Sequence, residues 1–515
     1  MGSLITGFYR DCSLSAAERL DLHFEDMSIP ISINELNEWT KDQSGSNSEL
    51  ATWLSLLGFE SRESLSTFLQ ETFSKDKDMA LELLQSWYGR KMFEEVVELF
   101  HLDKQESGEE IFNHLVQFLQ SKNEDTVLDF IKHLPAEVIH VDLDGMVKVA
   151  NILRKELKRK QKLVSDLEQI SLTSESHSLE LITENQIQES IFESVIFDVP
   201  HRSKPISIEI WRPSLDAMQR SSLIVLMPGL GGDINHFRWL ARSLSHNGWS
   251  VVVLQHPGSD SSSVKALLDG RLPAPGLEVI PDRLEDLRAV LNGIENGSIK
   301  APGENLILMG HSLGALTAFI AAGAEPHATL NENCSESGDD FFLTNLSELL
   351  QCQLVDVSLP IQKEIPNLSA IVGINSFGSL VWPRNSSEKI SVPVFLTGGT
   401  FDLVTPALSE QLGLLLSTKT NNLSRVLLID GASHFSPIRV RDSVDKKISD
   451  DVFKLDQSLV GIHPLSVQSV LAKEIIRFLA NFEKGEIISP STNLVRNDVK
   501  FHILDRKIIK KLLRN

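Results

Sequence analysis

Apolar and polar positions follow two different rhythms along this chain. Through residues 17–140 a short extended pair, LDLHFEDMSIPISI, gives way to helical spacing in WLSLLGF, LSTFLQETF, MALELLQSWY and EEIFNHLVQFLQ. Ser32 stands where it can cap INELNEWTKD, with Glu35 three residues on. Residues 141–163 continue as a helical stretch ending in the basic run RKELKRKQK, read as a solvated helix face, and SLTSESHSLELITENQ reads as a linker. After about residue 190 short β-branched runs take over: FESVIFDV, ISIEIW, SLIVLM, SVVVLQ, NLILMG, AIVGIN, VPVFLTGG and RVLLIDG. Helical patterns such as HFRWLARSLSHNG, DRLEDLRAVLNGI and VQSVLAKEIIRFLANF separate them. Near-continuous apolar strands alternating with helices predict a mainly parallel sheet of eight strands with helices on both faces, an α/β domain.

Charge sharpens the division. Of the net −21, residues 1–150 hold 16, from 28 acidic against 12 basic residues, which marks an acidic, mainly helical α+β module at the N-terminus. The expected organisation is therefore a module over 17–150, a basic helix and polar linker over 151–189, a catalytic domain over 190–483 and a C-terminal tail over 484–515. So negative a chain argues against nucleic acid as a partner, because a phosphate backbone would be repelled. No run of apolar residues is long enough to span a membrane. The start, MGSLITGFYRDCSLSAAERL, lacks the apolar core of a secretory signal. As it stands the chain reads as cytoplasmic, and as periplasmic or otherwise exported if its start is truncated.

The chemistry lies in the α/β part. Gly310-His311-Ser312-Leu313-Gly314 directly follows the strand NLILM and directly opens an Ala/Leu-rich helix. That strand–turn–helix setting is what a nucleophile elbow requires, with glycines permitting the sharp turn and Ser312 exposed at its tip. A serine hydroxyl needs a base, and the base an orienting acid, in the chain order Ser, Asp/Glu, His. Asp402 follows the strand VPVFLTGG and His434 follows RVLLIDG, so both lie in loops after consecutive strands. Asp430 is the weaker candidate acid, too close to His434 in sequence, and His256 after another strand reads as a pocket wall. For the oxyanion, the backbone N–H of Leu313 is one donor and that of Leu230, in Pro228-Gly229-Leu230-Gly231-Gly232, is the other. No metal or cofactor is required by this set.

With these blocks in view, LIVLMPGLGGDINHF, VVVLQHPGSDSS, GHSLGALTA, VPVFLTGGTFDLVTPALSEQ and LLIDGASHFSP resemble the α/β-hydrolases known as predicted dienelactone hydrolases, and are similar to platelet-activating-factor acetylhydrolases. AERLDLHFEDMSIPISINEL and the helices after it resemble a domain of unknown function that precedes this hydrolase in cyanobacterial proteins. The resemblance implies an α/β-hydrolase fold and a serine hydrolase of carboxylic esters, lipid-like or short-acyl, with Ser312, Asp402 and His434 as triad. Thioester cleavage or acyl transfer on the same scaffold, or a non-catalytic binding module, are the alternatives. Three departures stand out. Pro228 replaces the family's usual His before the oxyanion glycines. The nucleophile is Ser where true dienelactone hydrolases use Cys. AIVGINSFG carries no carboxylate where the acetylhydrolases place their acid.

Three segments carry further expectations. Residues 325–366 exceed the roughly 2–6 residues that such a connection needs and read as a cap. Its first part is polar and mobile, while Leu346, Leu349, Leu350 and Leu354 form an apolar helical stripe in its second, beside Phe341 and Phe342. Cys334 and Cys352 are expected to be close in space and able to pair in an oxidising compartment. KFHILDRKIIKKLLRN at 500–515, with six Lys/Arg and six Ile/Leu, reads as a short, loosely packed basic helix, with contact to a membrane surface as the lesser reading. The partner is then a small-molecule or lipid ester, and the oligomeric state stays open.

Overall fold

A computed structural model describes residues 17–42, 49–55, 59–71, 81, 84, 87–102, 107–121, 126–170, 191–214, 219–268, 276–337, 344–384, 386, 389–438 and 464–514. They divide into two compact units, 1–152 and 153–515.

In the first unit β1 (Arg19–Phe24) and β2 (Met27–Ser32) form the expected hairpin, and Ser32 caps α1 (Ile33–Lys41) by accepting from Glu35 N–H at 3.5 Å. Next come α2 (Glu49–Ser55), α3 (Phe59–Gln70), α4 (Trp87–Val97), α5 (Ser107–Gln120) and α6 (Val127–Lys132). Two strands went unread in the sequence: β3 (Phe100–Leu102) and β4 (Val138–Asp142). β4 lies parallel to β1 and completes the sheet order β2-β1-β4-β3. Ile33, Trp39, Leu128 and Ile139 pack beneath it. α7 (Leu143–Gln169) begins in the first unit and carries the basic run within the second, and the linker at 171–186 lies outside the described residues.

In the second unit the eight expected strands all form. They are β5 (Ile191–Phe197), β6 (Ile206–Arg212), β7 (Ser222–Met227), β8 (Ser250–Leu254), β9 (Asn305–His311), β10 (Leu368–Ile374), β11 (Val394–Gly399) and β12 (Arg425–Ile429). The six from β7 to β12 are parallel, in the order β8-β7-β9-β10-β11-β12, and β6 and β5 continue the sheet antiparallel beyond β8. α8 (Arg238–His246) and α15 (Pro464–Glu483) pack over one face, burying Phe237, Leu240, Phe395, Leu427, Ile475 and Phe478 in one cluster. The alternate strand residues Val225, Val252, Leu308 and Ile371 are buried on the opposite face. α10 (Ile280–Glu295) and α11 (Leu313–Ala321) pack against each other, and α9 (Ser261–Leu268) and α14 (Gln411–Ser417) are further helices between strands.

The reading of 500–515 as one loosely packed basic helix is corrected. β13 (Ser491–Arg496) and β14 (Val499–Leu504) form a hairpin that joins the central sheet, with β14 antiparallel to β12. Asn497 and Asp498 make its two-residue turn at φ 49° and 62°, the left-handed pair that such a hairpin demands. Only α16 (Arg506–Leu512) is helical. Asp505 caps it, Ile509 and Leu512 are buried, and Arg506 donates to the carbonyls of Leu415 and Leu416 at 2.7 Å. Its apolar residues Ile509 and Leu512 therefore pack into the domain.

Within 325–366, α12 (Leu330–Ser337) is regular where a mobile polar stretch was expected, and α13 (Ser347–Gln353) follows. Cys334 on α12 and Cys352 on α13 are bridged, with Cα atoms 5.5 Å apart. Phe341 and Phe342 lie outside the described residues.

Candidate functional site

Ser312 sits between β9 and α11 at φ 51°, ψ −117°, a backbone state that a side-chain-bearing residue holds only under strain. Both flanking glycines are sterically obligatory. A Cβ on Gly310 would lie 2.2 Å from the carbonyl carbon of Gly314, and one on Gly314 would lie 2.0 Å from the Met227 carbonyl oxygen. These are backbone contacts, which no rotamer change can relieve. Leu313 is the first residue of α11, so its N–H has no acceptor within the helix and lies at the positive end of the helix dipole.

The loops after β11 and β12 bring Asp402 and His434 to this turn. His434 Nε2 lies 3.1 Å from Ser312 Oγ, and His434 Nδ1 lies 3.0 Å from Asp402 Oδ2. Asp402 is buried and held by four further bonds. Oδ1 accepts from the N–H groups of Val404 and Thr405 at 2.9 and 2.7 Å, and Oδ2 accepts from Asn375 Nδ2 and Thr405 Oγ1, each at 2.7 Å. Burial opposes its charge, but His434 and these donors outweigh it and hold the carboxyl below its usual range. An ionised Asp402 at Nδ1 favours the tautomer with the proton on Nδ1, which leaves the Nε2 lone pair facing Ser312.

Asn375 and Thr405 are the residues that sequence reasoning missed. Asn375 directly follows β10 at φ 46°, inside the AIVGINSFG stretch whose lack of a carboxylate is the departure noted above. An Asn directly after an apolar strand, a residue that tolerates left-handed backbone, was the available signal. Asp430 is engaged elsewhere, with His502 Nε2 at 3.3 Å and Lys500 Nζ at 4.0 Å. His256 is buried and paired with Asp286 at 2.9 Å rather than lining an open wall. His311 is buried too, and its Nε2 lies 3.1 Å from the His434 carbonyl oxygen, which steadies the loop carrying the base.

The segment Pro228–Gly232 crosses directly over the nucleophile. A Cβ on Gly229 would meet His311 Nδ1 and Ser312 Cβ at 3.0 Å. Gly231 N–H donates to Ser259 O at 2.7 Å and Gly232 N–H to Gly229 O at 3.1 Å, while the Leu230 N–H meets no backbone acceptor among the described residues.

Beside the acid loop stands the second half of the 325–366 insertion, tied down by one buried carboxylate. Glu410 Oε1 accepts from Asn345 Nδ2 at 2.6 Å, Gln351 Nε2 at 3.1 Å, Ser347 Oγ at 3.2 Å and Ser379 Oγ at 2.7 Å. Its Oε2 accepts from the Gly378 and Ser379 N–H groups at 2.8 and 3.0 Å. Ser347 N–H also reaches the Val404 carbonyl at 2.9 Å. Of the expected apolar stripe, Leu350 and Leu354 are buried, and Leu346 and Leu349 half-buried. Phe401 and Leu403, on either side of Asp402, are 58% and 50% exposed. Burial holds the ammonium of Lys160, half-buried on α7, below its usual range, against the opposing charges of Asp402 and Glu156.

Two family models match the chain. Residues 16–142 match the family described as an alpha/beta hydrolase of unknown function (DUF1400), and residues 222–332 match the model described as the alpha/beta hydrolase fold. No curated protein matches the chain. The first match covers the unit with the small sheet. The second runs from β7 through the Pro228–Gly232 loop and the Ser312 turn into α12.

Proposed function

We propose that this α/β-hydrolase cleaves carboxylic esters through an acyl-enzyme on Ser312, with His434 as general base and acid and Asp402 as its orienting carboxylate. The observation that carries the reading is the unbroken line Asp402–His434–Ser312, with contacts of 3.0 and 3.1 Å. Ser312 Oγ attacks the ester carbonyl carbon while His434 Nε2 takes its proton. The carbonyl oxygen, now negative, faces the N–H groups of Leu230 and Leu313. Collapse expels the alkoxide, which leaves with the proton from His434. Water, deprotonated by His434 in turn, then releases the acid and restores Ser312.

The exposed Phe401 and Leu403 beside the acid, with half-buried Leu349 on α13, favour an ester with an apolar acyl or alcohol part, in keeping with the resemblance to the acetylhydrolases. Leu349→Ser is accordingly expected to lower kcat/KM about 10-fold on longer acyl esters, the worth of a few buried methylenes. Acetyl esters should be spared. Equal losses on both, with a lower melting temperature, would make Leu349 a packing residue. The Cys334–Cys352 bridge favours work in an oxidising compartment.

A fluorophosphonate probe tests the central claim. Wild type should label and Ser312→Ala should not, and hydrolysis across an ester panel should disappear in step. Labelling that survives in Ser312→Ala would refute the reading.

A further inference from the structure

Arg283, on the first turn of α10, is 1% exposed. A guanidinium taken out of water costs several kcal/mol unless its charge and its donors are met. Here Nε donates to Thr317 Oγ1 at 3.1 Å, Nη1 to Ser259 Oγ at 2.7 Å and Nη2 to the Pro228 carbonyl at 2.6 Å. The carboxylates whose charge favours the guanidinium are Asp286 and Asp260, and Asp286 itself pairs with Arg202 at 2.6 Å, His201 at 2.8 Å and His256 at 2.9 Å.

The three acceptors lie on three different elements, and each leads to a candidate oxyanion donor. Pro228 stands two residues before Leu230. Ser259, gripped by its hydroxyl, uses its own carbonyl to hold the Gly231 N–H at 2.7 Å, so the chain is fixed on both sides of the Leu230 amide. Thr317, gripped through Oγ1, donates that hydroxyl to the Leu313 carbonyl at 2.8 Å, in the residue bearing the second donor. One planar fork therefore links the segment carrying the Leu230 N–H to the turn carrying the Leu313 N–H.

The loop needs such a clamp. Pro228-Gly229-Leu230-Gly231-Gly232 contains three glycines, whose backbone freedom is costly to freeze, and Pro228 has no N–H with which to anchor itself. An oxyanion site is effective only when its donors are held within about 0.5 Å of the productive geometry. Lysine could not substitute, since a single ammonium cannot span acceptors arranged for a rigid fork.

We propose that Arg283 is the positioning residue of the oxyanion site, setting the spacing of the Leu230 and Leu313 amides across the charge that develops on the substrate oxygen. The inference rests on the ester-hydrolysis reading above. Arg283 touches neither substrate nor triad in this role and acts through Pro228, Ser259 and Thr317.

The test compares an ester with its thionoester, in which a larger and weaker acceptor sulfur replaces the oxygen that the two amides would hold. A well-formed oxyanion site favours the ester, and a loosened one loses that preference. Arg283→Lys is expected to lower kcat on the ester about 100-fold, the cost of a misplaced donor, with KM within about threefold. The ester-to-thionoester ratio of kcat/KM should fall about 10-fold in parallel. Thr317→Val cuts only the link toward Leu313 at nearly constant volume, and it should lower the same ratio severalfold; it carries the test if Arg283→Lys does not fold. A lower melting temperature with the wild-type ratio kept would overturn the proposal and leave Arg283 as a support of the fold. If wild type shows no Ser312-dependent ester hydrolysis, the underlying reading fails first, before any Arg283 variant is compared.

Discussion

Ser312→Ala is expected to lose about 10⁶-fold in kcat on an activated ester, and His434→Ala about as much, because the members of such a set act as one unit. Folding should survive in the serine variant, since alanine fills the same strained turn and leaves only the Nε2 of His434 without its 3.1 Å partner. Asp402→Asn is expected to cost about 10⁴-fold. Its effect on stability should exceed that of Ser312→Ala. Oδ2 already accepts from Asn375 and Thr405 besides His434, and Oδ1 from two backbone amides. Whichever way the new amide is turned, its NH₂ faces groups that are themselves donors. Steady-state kinetics with circular-dichroism melting separates the two effects. A near-wild-type rate in Asp402→Asn would end its assignment as the acid.

Acidification is expected to unfold the α/β domain well before its carboxylates are fully protonated. Burial, with Arg283 nearby, pushes His256 down to about 4, and burial together with His434 pushes His311 down to about 3. Each stays neutral in the native protein at pH values where the unfolded chain, with a histidine near 6.5, has already bound a proton. Because the unfolded state binds more protons, stability falls as pH drops from about 6.5 towards 4, on the order of 3 kcal/mol for each histidine. Asp286, opposed by burial but held down to about 2 by His256 and Arg202, adds a further loss as pH falls from about 4 towards 2. Melting temperature against pH checks this. His256→Asn should flatten the slope between pH 6.5 and 4, and an unchanged slope would show that His256 does not titrate as described.

The eight strands were legible because parallel strands covered on both faces must be apolar almost throughout, and Ser312, Asp402 and His434 because each follows such a strand. Asn375 and Thr405 were not, since what makes them matter is the burial of Asp402, which no local pattern reports. Arg283 is one charge among several in the helical pattern DRLEDLRAVLNGI, and its burial is not legible there for the same reason. β4 escaped because its partner β1 is more than a hundred residues away, and its run VIHVD is short. In the C-terminal segment the abundance of Lys and Ile hid an alternating strand, although the Asn497-Asp498 turn and the capping Asp505 both marked its limits.

The place of β14 bears on how the protein is made. β12, whose end leads into the His434 loop, has β11 on one side and β14 on the other, yet β14, at Val499–Leu504, is synthesised well after it. Until residues 499–504 have emerged, β12 presents a row of unpaired backbone groups, open to pairing with a neighbouring nascent chain. Ser312, Asp402 and His434 all precede β14 in the chain, but until it arrives β12 lacks its second neighbour. A chain stalled before β14 would therefore carry Ser312, Asp402 and His434 without the strand that pairs with the far side of β12.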